Sequence, residues 1–476
     1  MISNIEASPH DPATAYAAVT RYKLDDYQPY LYKTDDYGQT WRIISESFPD
    51  GEITRVIRED PVRSGLLYVG TETGLYVSLD DGDNWHRLQN NLPVVPVYDL
   101  KIKDGDLVAG THGRSFWILD DVTPLRELAA EAAQSSLHLF EPRSTYRRWL
   151  QWGAGMFRSE TGKNYQMGLG APATFYVEKS SDGERTRRFL DAGEGPPQGV
   201  IVYYLLEDTP TDPVELTFLD ADGAEIKTFT TKPEDTDDAE DDDKDDRYIP
   251  AEPGLNRFVW DMCYADSEAI TEPRIDKQDE SPDKPKNGPL ASPGTYQAQL
   301  KVGEQTQTQT FEICKDPRVT ASQADFDAQF ELWSQIRDKL SETHEAINQL
   351  RRIQRQTNEW KKRVDAGEDS NAEAICEAAE ALQEKLKAIE GELIQTGADT
   401  IGDRLRLPTM LIGKLAGLVS VVSVADFAPP KQAYELFEDL SSQIDAQLDE
   451  LKSVIEEDVA AFNDLISETS VPAVVI

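Results

Sequence analysis

The chain is expected to fold as a multidomain β plus α protein: a partial β-propeller, then an antiparallel β-sandwich, then an antiparallel helical bundle. Three observations carry this. Residues 1–121 repeat themselves, the middle of the chain alternates apolar and polar residues with the period of a strand, and the last third steps its apolar residues by three and four.

The repeat comes first. "LYKTDDYG" (31–38) lies over "LYVSLDDG" (75–82) at an offset of 44, and "GTETGLYVSLDD" (70–81) lies over "GTHGRSFWILDD" (110–121) at an offset of 40. The middle copy holds four short strand signals, "ITRVIRED", "LLYVGTET", "GLYVSLD" and "WHRLQ". Four antiparallel strands at that period describe a propeller blade. A tight turn between the third and fourth strands needs a residue that tolerates positive φ, which Gly38 and Gly82 supply, and an acceptor for its amides, which Asp36 and Asp80 supply. Trp41 and Trp85 begin the outer strand and are expected to cover the flank of the sheet, a gain of about 2–3 kcal/mol each. On this reading the acidic turns are structural.

The pattern Ser/Thr-x-Asp-x-Gly-x-Thr-Trp resembles the Asp-box of the BNR-repeat proteins. Thr34, Asp36, Gly38, Thr40 and Trp41 match it in full; Ser78, Asp80, Gly82 and Trp85 match it with Asn84 in place of the threonine. The third copy keeps Asp120 and Asp121 but has Val122 where glycine belongs, so its hairpin is expected to be lost. The segment resembles the end of a sortilin-like propeller from large bacterial proteins often labelled glycosyl hydrolase. The resemblance implies a fold more than an activity, because such families include sialidases, xyloglucan hydrolases and receptors.

Residues 1–121 supply about three blades, the third without its outer strand, whereas a ring needs at least four. Two flanks are then open. The expectation is that Met1 begins a fragment or split-gene product whose missing blades lie on a companion chain; the alternative is an open stack covered by the later domains.

Residues 122–136 read as a helical linker carrying "PLRELAAEAAQ". Over 137–319 the strand signals "GVIVYYLL", "VELTFLDADGAEIKTF", "GLNRFVWDM" and "SPGTYQAQLKVG" have the alternation of a half-buried sandwich, with a hairpin at Asp222-Gly223. Their D-x-D-G, G-x-N-x-F-x-W-D and P-G-x-Y patterns resemble the Ig-like module of the FlgD type, which implies an accessory or docking role. The acidic insertion 232–246 has no register with the glycine and spaced oxygens of a calcium loop and reads as solvated chain. Over 320–470 one stripe runs through Phe326, Phe330, Trp333, Ile336 and Leu340, and another from Phe437 to Phe462, which makes a bundle the simplest solution; Gly367, Gly397 and Pro429-Pro430 mark its connections. His344 sits on the first stripe without a second metal-type residue one turn away, the pattern of a core or boundary histidine.

Charge narrows the partners. Lys plus Arg number 48 against 88 Asp plus Glu, a net charge of −40 that repels nucleic acid and anionic membrane surfaces. The excess fits life in high salt, or an acidic surface that serves solubility. Cys263, Cys314 and Cys376 form no CxxC pair and read as small apolar residues. The start "MISNIEASPHDP" lacks the regions of a signal peptide, although the resemblance implies that complete relatives carry an export signal. The run from Met410 to Ala425 is interrupted by Lys414, so no membrane insertion is expected.

No catalytic residue, cofactor or metal site is assigned from the sequence. Arg55 and Arg58, three apart on an inner strand, are expected on opposite faces, so that at most one reaches a channel. Arg55, His112 and Arg114 are the candidates for a ligand surface, with protein or glycan as the ligand. The expected function is a non-catalytic binding or scaffold protein; the alternative is the accessory part of a glycosyl hydrolase whose active site lies in blades not present here.

Overall fold

A computed structural model of the chain describes residues 1–128, 135–147, 162–166, 173–179, 185–189, 199–231, 248–275, 285, 288–365, 372–397 and 405–468. The acidic insertion 232–246, the end of the 124–134 segment and Gly367 lie outside the described residues. The protein is a mixed β and helical chain. It divides into two units, one of Met1–Thr145, Gly155–Asp261 and Thr295–Glu312, the other of Tyr146–Ala154, Met262–Gly294 and Ile313–Ile476.

The first unit opens with three antiparallel sheets, each made by consecutive strands. Strands β1 (Ile2–Ala7), β2 (Ala15–Arg21), β3 (Asp26–Thr34) and β4 (Arg42–Ile43) pair in chain order. So do β5 (Thr54–Glu59), β6 (Leu67–Thr71), β7 (Leu75–Ser78) and β8 (His86–Arg87). The third sheet has β9 (Val97–Lys103), β10 (Asp106–Thr111) and β11 (Phe116–Leu119) alone.

Strand alternation sorts the apolar residues of the second sheet onto both faces. Ile57, Leu67, Val69, Tyr76 and Trp85 pack against Tyr16, Ala18, Leu31, Ile44 and Phe48 of the first sheet and its flanking loop. Val56, Tyr68, Leu75 and Val77 pack against Leu100, Leu107 and Ala109 of the third. The approach is close enough to require glycine at one point: a Cβ on Gly70 would lie 2.7 Å from the Val97 carbonyl oxygen. In the third sheet Phe116 and Trp117 lie opposite Gly110 and Ala109, as Leu75 and Tyr76 lie opposite Gly70 and Val69. The offset in this strand is therefore 41 and not the 40 of the ungapped alignment, because the β10–β11 loop is one residue longer than the β6–β7 loop.

After the short helix α1 (Thr123–Leu128) come β12 (Leu137–Leu139) and β13 (Thr145–Arg147). Strands β14 (Gly162–Gln166), β15 (Ala173–Lys179) and β16 (Arg185–Phe189) form a small antiparallel sheet. Strand β17 (Val200–Leu206) pairs with β12 and with β20 (Gly254–Trp260). In a second sheet β18 (Val214–Leu219) lies between β19 (Glu225–Thr230) and β21 (Gly294–Val302), and β21 also pairs with β22 (Gln305–Lys315). The two sheets meet through aromatic rings: Phe218 stacks on Trp260 at 4.4 Å, and Phe311 meets both rings edge-on. The hairpin between β18 and β19 is closed by Asp220, whose carboxylate accepts the Asp222 and Ala224 amides while Gly223 takes φ +85°.

The second unit is mainly helical: α2 (Gln323–Asp365), α3 (Ala372–Leu393), α4 (Leu411–Val422), α5 (Lys431–Ser453) and, through a π-helical stretch at Val454–Val459, α6 (Ala460–Ser467). One core joins them, with Ile336, Leu340, Leu386, Leu415 and Ile444 among its buried members. Helix α2 starts at a reciprocal cap: the Asp325 carboxylate accepts the Ser322 N–H and O–H. His344 is buried and its Nδ1 lies 2.6 Å from the Glu268 carbonyl oxygen. None of the described helices is long and apolar enough to cross a membrane.

Candidate functional site

The antiparallel order places the loops β2–β3, β6–β7 and β10–β11, with the starts of β5 and β9, at one end of the three stacked sheets. The acidic turns lie at the other end. At the first end four side chains stand in a row: Tyr22 from the 3-10 turn Tyr22–Leu24, Arg55, Tyr98 and His112. The Arg55 guanidinium carbon lies 4.8 Å from the Tyr22 ring centre and 5.0 Å from that of Tyr98. Tyr98 in turn stacks on His112 at 5.2 Å. A flat guanidinium is suited to lie between two rings in this way. Glu72, in the β6–β7 loop, pairs with Arg55 and fixes its position. The His112 N–H donates to the Pro96 carbonyl (2.8 Å), which ties the β10–β11 loop to the residues before β9.

The row combines a fixed cation with open aromatic surface. Tyr98 is 47% exposed and His112 is exposed, whereas Arg55 is largely covered. Arg114, in the same loop as His112, is exposed, and its carbonyl accepts the Trp117 indole N–H (3.0 Å). Thus Arg55 and His112 share the row through Tyr98, and Arg114 lies beside it in the loop. Sequence reasoning missed Tyr22, Glu72 and Tyr98. The available signal was position: each lies where a second strand ends or an inner strand begins. Arg58, at the other end of β5, bonds to Glu6 (3.1 Å), Asp99 (2.8 Å) and the Leu100 carbonyl (2.9 Å), and so ties together the first strands of all three sheets.

In the first acidic turn Thr34 Oγ1 accepts the Gly38 N–H (2.9 Å) and donates to Asp36 (2.9 Å). Asp36 also accepts the Thr40 N–H (2.8 Å) and hydroxyl (2.7 Å). The second turn repeats each bond: Ser78 accepts the Gly82 N–H (2.8 Å) and donates to Asp80 (2.8 Å), which accepts the Asn84 N–H (2.8 Å) and side-chain amide (2.7 Å). Tyr37 and Asp81, at φ +61°, share the left-handed bend with Gly38 and Gly82. The Thr40 hydrogen bonds hold the Asp36 carboxyl down at about 2. Burial pushes Asp80 up, but the Asn84 and Ser78 hydrogen bonds outweigh it and the net shift is down.

The two tryptophans differ. Trp85 is 7% exposed, donates its indole N–H to the Ile44 carbonyl (2.7 Å) and packs on Phe48 at 5.0 Å. Trp41, its equivalent one repeat earlier, is 42% exposed, since no sheet precedes the first among the described residues.

One tyrosine lies between two acids. The Tyr16 hydroxyl is 2.8 Å from Asp81 and 3.4 Å from Glu59, and Lys33 pairs with Asp81. Burial, then the neighbouring carboxylates, pushes this hydroxyl up from its ordinary value, the opposite of what a tyrosine nucleophile requires. At 1% exposure it meets no substrate. The described residues contain no group of three His, Cys, Asp or Glu side chains arranged to hold a metal.

No family model matches the chain, and no curated protein matches it. Among solved structures, an ancestral GH74 enzyme matches at 12% identity over 48% of this chain and 38% of that one, with a TM-score of 0.20. The GH74 enzyme of Niastella koreensis matches at 12% identity over 66% of this chain and 46% of that one, with a TM-score of 0.22. The chain spans less than half the length of either protein. Likeness at this level assigns neither fold nor activity.

Proposed function

We propose that the chain is a non-catalytic binding protein of the Asp-box propeller type. In this reading the three stacked sheets are consecutive blades, the paired sheets behind them an Ig-like sandwich and the helices an antiparallel bundle. The ligand is a glycan held at the end formed by Tyr22, Arg55, Tyr98 and His112. The observation that carries the reading is the row itself, which crosses all three sheets and leaves the Tyr98 and His112 rings open. Exposed rings held in place suit the C–H faces of a sugar, and their positions cost little ordering on binding. The acids nearest to a hydrolytic arrangement are engaged elsewhere: Asp36 and Asp80 close turns, and Glu59 and Asp81 flank a buried hydroxyl. Affinity electrophoresis through a panel of soluble polysaccharides tests this. Retention by at least one glycan that falls at least tenfold in Tyr98→Ala, with no reducing sugar released, is expected. Release of sugar by the chain alone, or retention only by a protein ligand, overturns it.

A second reading has its own observation. On the outward face of the first sheet Ile5, Ala17, Tyr32 and Ile43 are successive cross-strand neighbours, and Ile5, Ile43 and Trp41 are exposed. In the second sheet the matching row, Ile57, Val69 and Tyr76, is buried under the first. Further blades on a companion chain would cover this face and carry a glycosyl hydrolase site. Hydrolysis that appears only on co-expression with such a chain favours this reading.

A further inference from the structure

The third sheet has a socket that no described residue fills. In the second sheet the residue before the fourth strand, Trp85, fills the space between that sheet and the loop after β4, held by the Ile44 carbonyl and the Phe48 ring. The loop after β8 is built the same way. Leu88 donates its N–H to the Leu75 carbonyl (2.9 Å) as Ile44 donates to Leu31 (3.0 Å), and Leu92 donates to Gln89 (2.8 Å) as Phe48 donates to Ser45 (3.1 Å). Leu88 and Leu92 thus stand for Ile44 and Phe48, and Trp117 stands for Tyr76 by the register of β11. No tryptophan follows, because after Leu119 the chain turns at Asp120 and Asp121 into α1; Val122 and Leu125 join the same core but do not line the space. The space remains as a shallow groove, open to solvent and lined by Leu88, Leu92, Leu107, Ala109, Trp117 and Leu119. Among the described residues no donor reaches the Leu88 carbonyl, the counterpart of the acceptor that Trp85 uses, and no strand pairs with the outer edge of β11.

We infer that the β11 edge and this groove form an acceptor site for a polypeptide strand that carries a tryptophan immediately before it. The strand adds to β11 through its backbone, and the indole enters the groove and donates to Leu88. Specificity comes from the Trp, because backbone pairing alone accepts any extended segment. The site commits to a protein partner and is independent of the glycan row at the other end of the sheets.

The probe is a synthetic peptide copying residues 79–92 of this chain, the segment that makes the same contacts in the second sheet. It is titrated into the full chain by calorimetry at about 0.5 M salt, where like charges are screened. Saturable one-to-one binding is expected, at least tenfold weaker when the peptide tryptophan is replaced by alanine, and lost in the groove-filling variant Leu88→Trp. Glycan retention is unchanged in Leu88→Trp, so the two readings fail separately. No binding by the peptide, equal binding by its alanine form, or free indole binding as tightly as the peptide overturns the inference.

Discussion

At Asp36 and Asp80 the chain solves one turn twice with different residues. Thr40 and Asn84 are chemically unlike, yet each places a donor on the second carboxylate oxygen, so the substitution leaves the turn unchanged. Because Asp36 titrates near 2, below its ordinary value, its contribution to the turn is fully present above the ordinary carboxylate range and is lost as pH falls through about 2. Carbon-detected NMR should show the Asp36 carboxyl titrating near 2 with the Thr40 amide moving in step, and a midpoint in the ordinary range would mean that the hydroxyl and amide do not hold it. In the second unit, Arg147 is nearly devoid of exposure and has buried partners in Asp426 (3.2 Å), Gln329 (2.5 Å) and the Ala291 carbonyl (2.9 Å), with the Phe326 ring beneath. Burial pushes Asp426 up and outweighs the downward pull of Arg147, so removing the arginine leaves the acid with burial and the neighbouring Asp316 charge, which both raise it. Arg147→Met is therefore expected to cost about 3–5 kcal/mol in denaturant melts, and adding Asp426→Leu should recover part of it. A double variant as unstable as the single would place the loss in the arginine's other bonds.

Between elements, the same residue has different worth according to what lies across from it. Trp85 fills a gap between two sheets, so Trp85→Ala should cost about 3–5 kcal/mol, whereas Trp41→Ala, at an open flank, should stay within about 1 kcal/mol. Gly70 and Gly110 make a second such pair. A methyl on Gly70 meets Val56 and Val97 at 2.7–2.8 Å, but one on Gly110 has nothing nearer than 3.6 Å. Gly70→Ala should thus lower the melting temperature and Gly110→Ala should not; equal effects would show that the glycines act through backbone freedom instead of contact. These contrasts mark what could be read in advance. The hydroxyl, acid and glycine of the turns sit within five residues, so their bonds follow from spacing, and the stripes of α2 and α5 follow from helical period. The row of Tyr22, Arg55, Tyr98 and His112 did not follow, because it is assembled from three sheets and no local pattern marks it. The β11 register was hidden by one extra residue between Thr111 and Phe116, which leaves "GT" and "LDD" aligned while every side chain between them changes partner.

For the whole molecule the dominant quantity is charge. With 88 acids to 48 bases, even complete pairing of every Lys and Arg leaves 40 carboxylates facing water or one another. Salt acts on this in two opposing ways. It weakens exposed pairs such as Lys301 with Glu215 and Lys385 with Asp458, each worth at most about 1 kcal/mol. It also screens repulsion among the surplus acids, and the screening length shortens from about 10 Å at 0.1 M to about 3 Å at 1 M. The surplus is nearly as numerous as the pairs, and like-charge repulsion extends over many neighbours where each pair extends over one, so screening should win. The buried pairs Arg147 with Asp426 and Arg351 with Glu390 lie out of reach of the salt and do not offset it. The melting temperature is therefore expected to rise by several degrees between about 0.1 and 1 M sodium chloride and then level off as the screening length drops below the spacing of surface carboxylates. A melting temperature that stays flat or falls over that range would mean that the surplus acids are spread too widely to repel, and that the acidity serves solubility without any demand for salt.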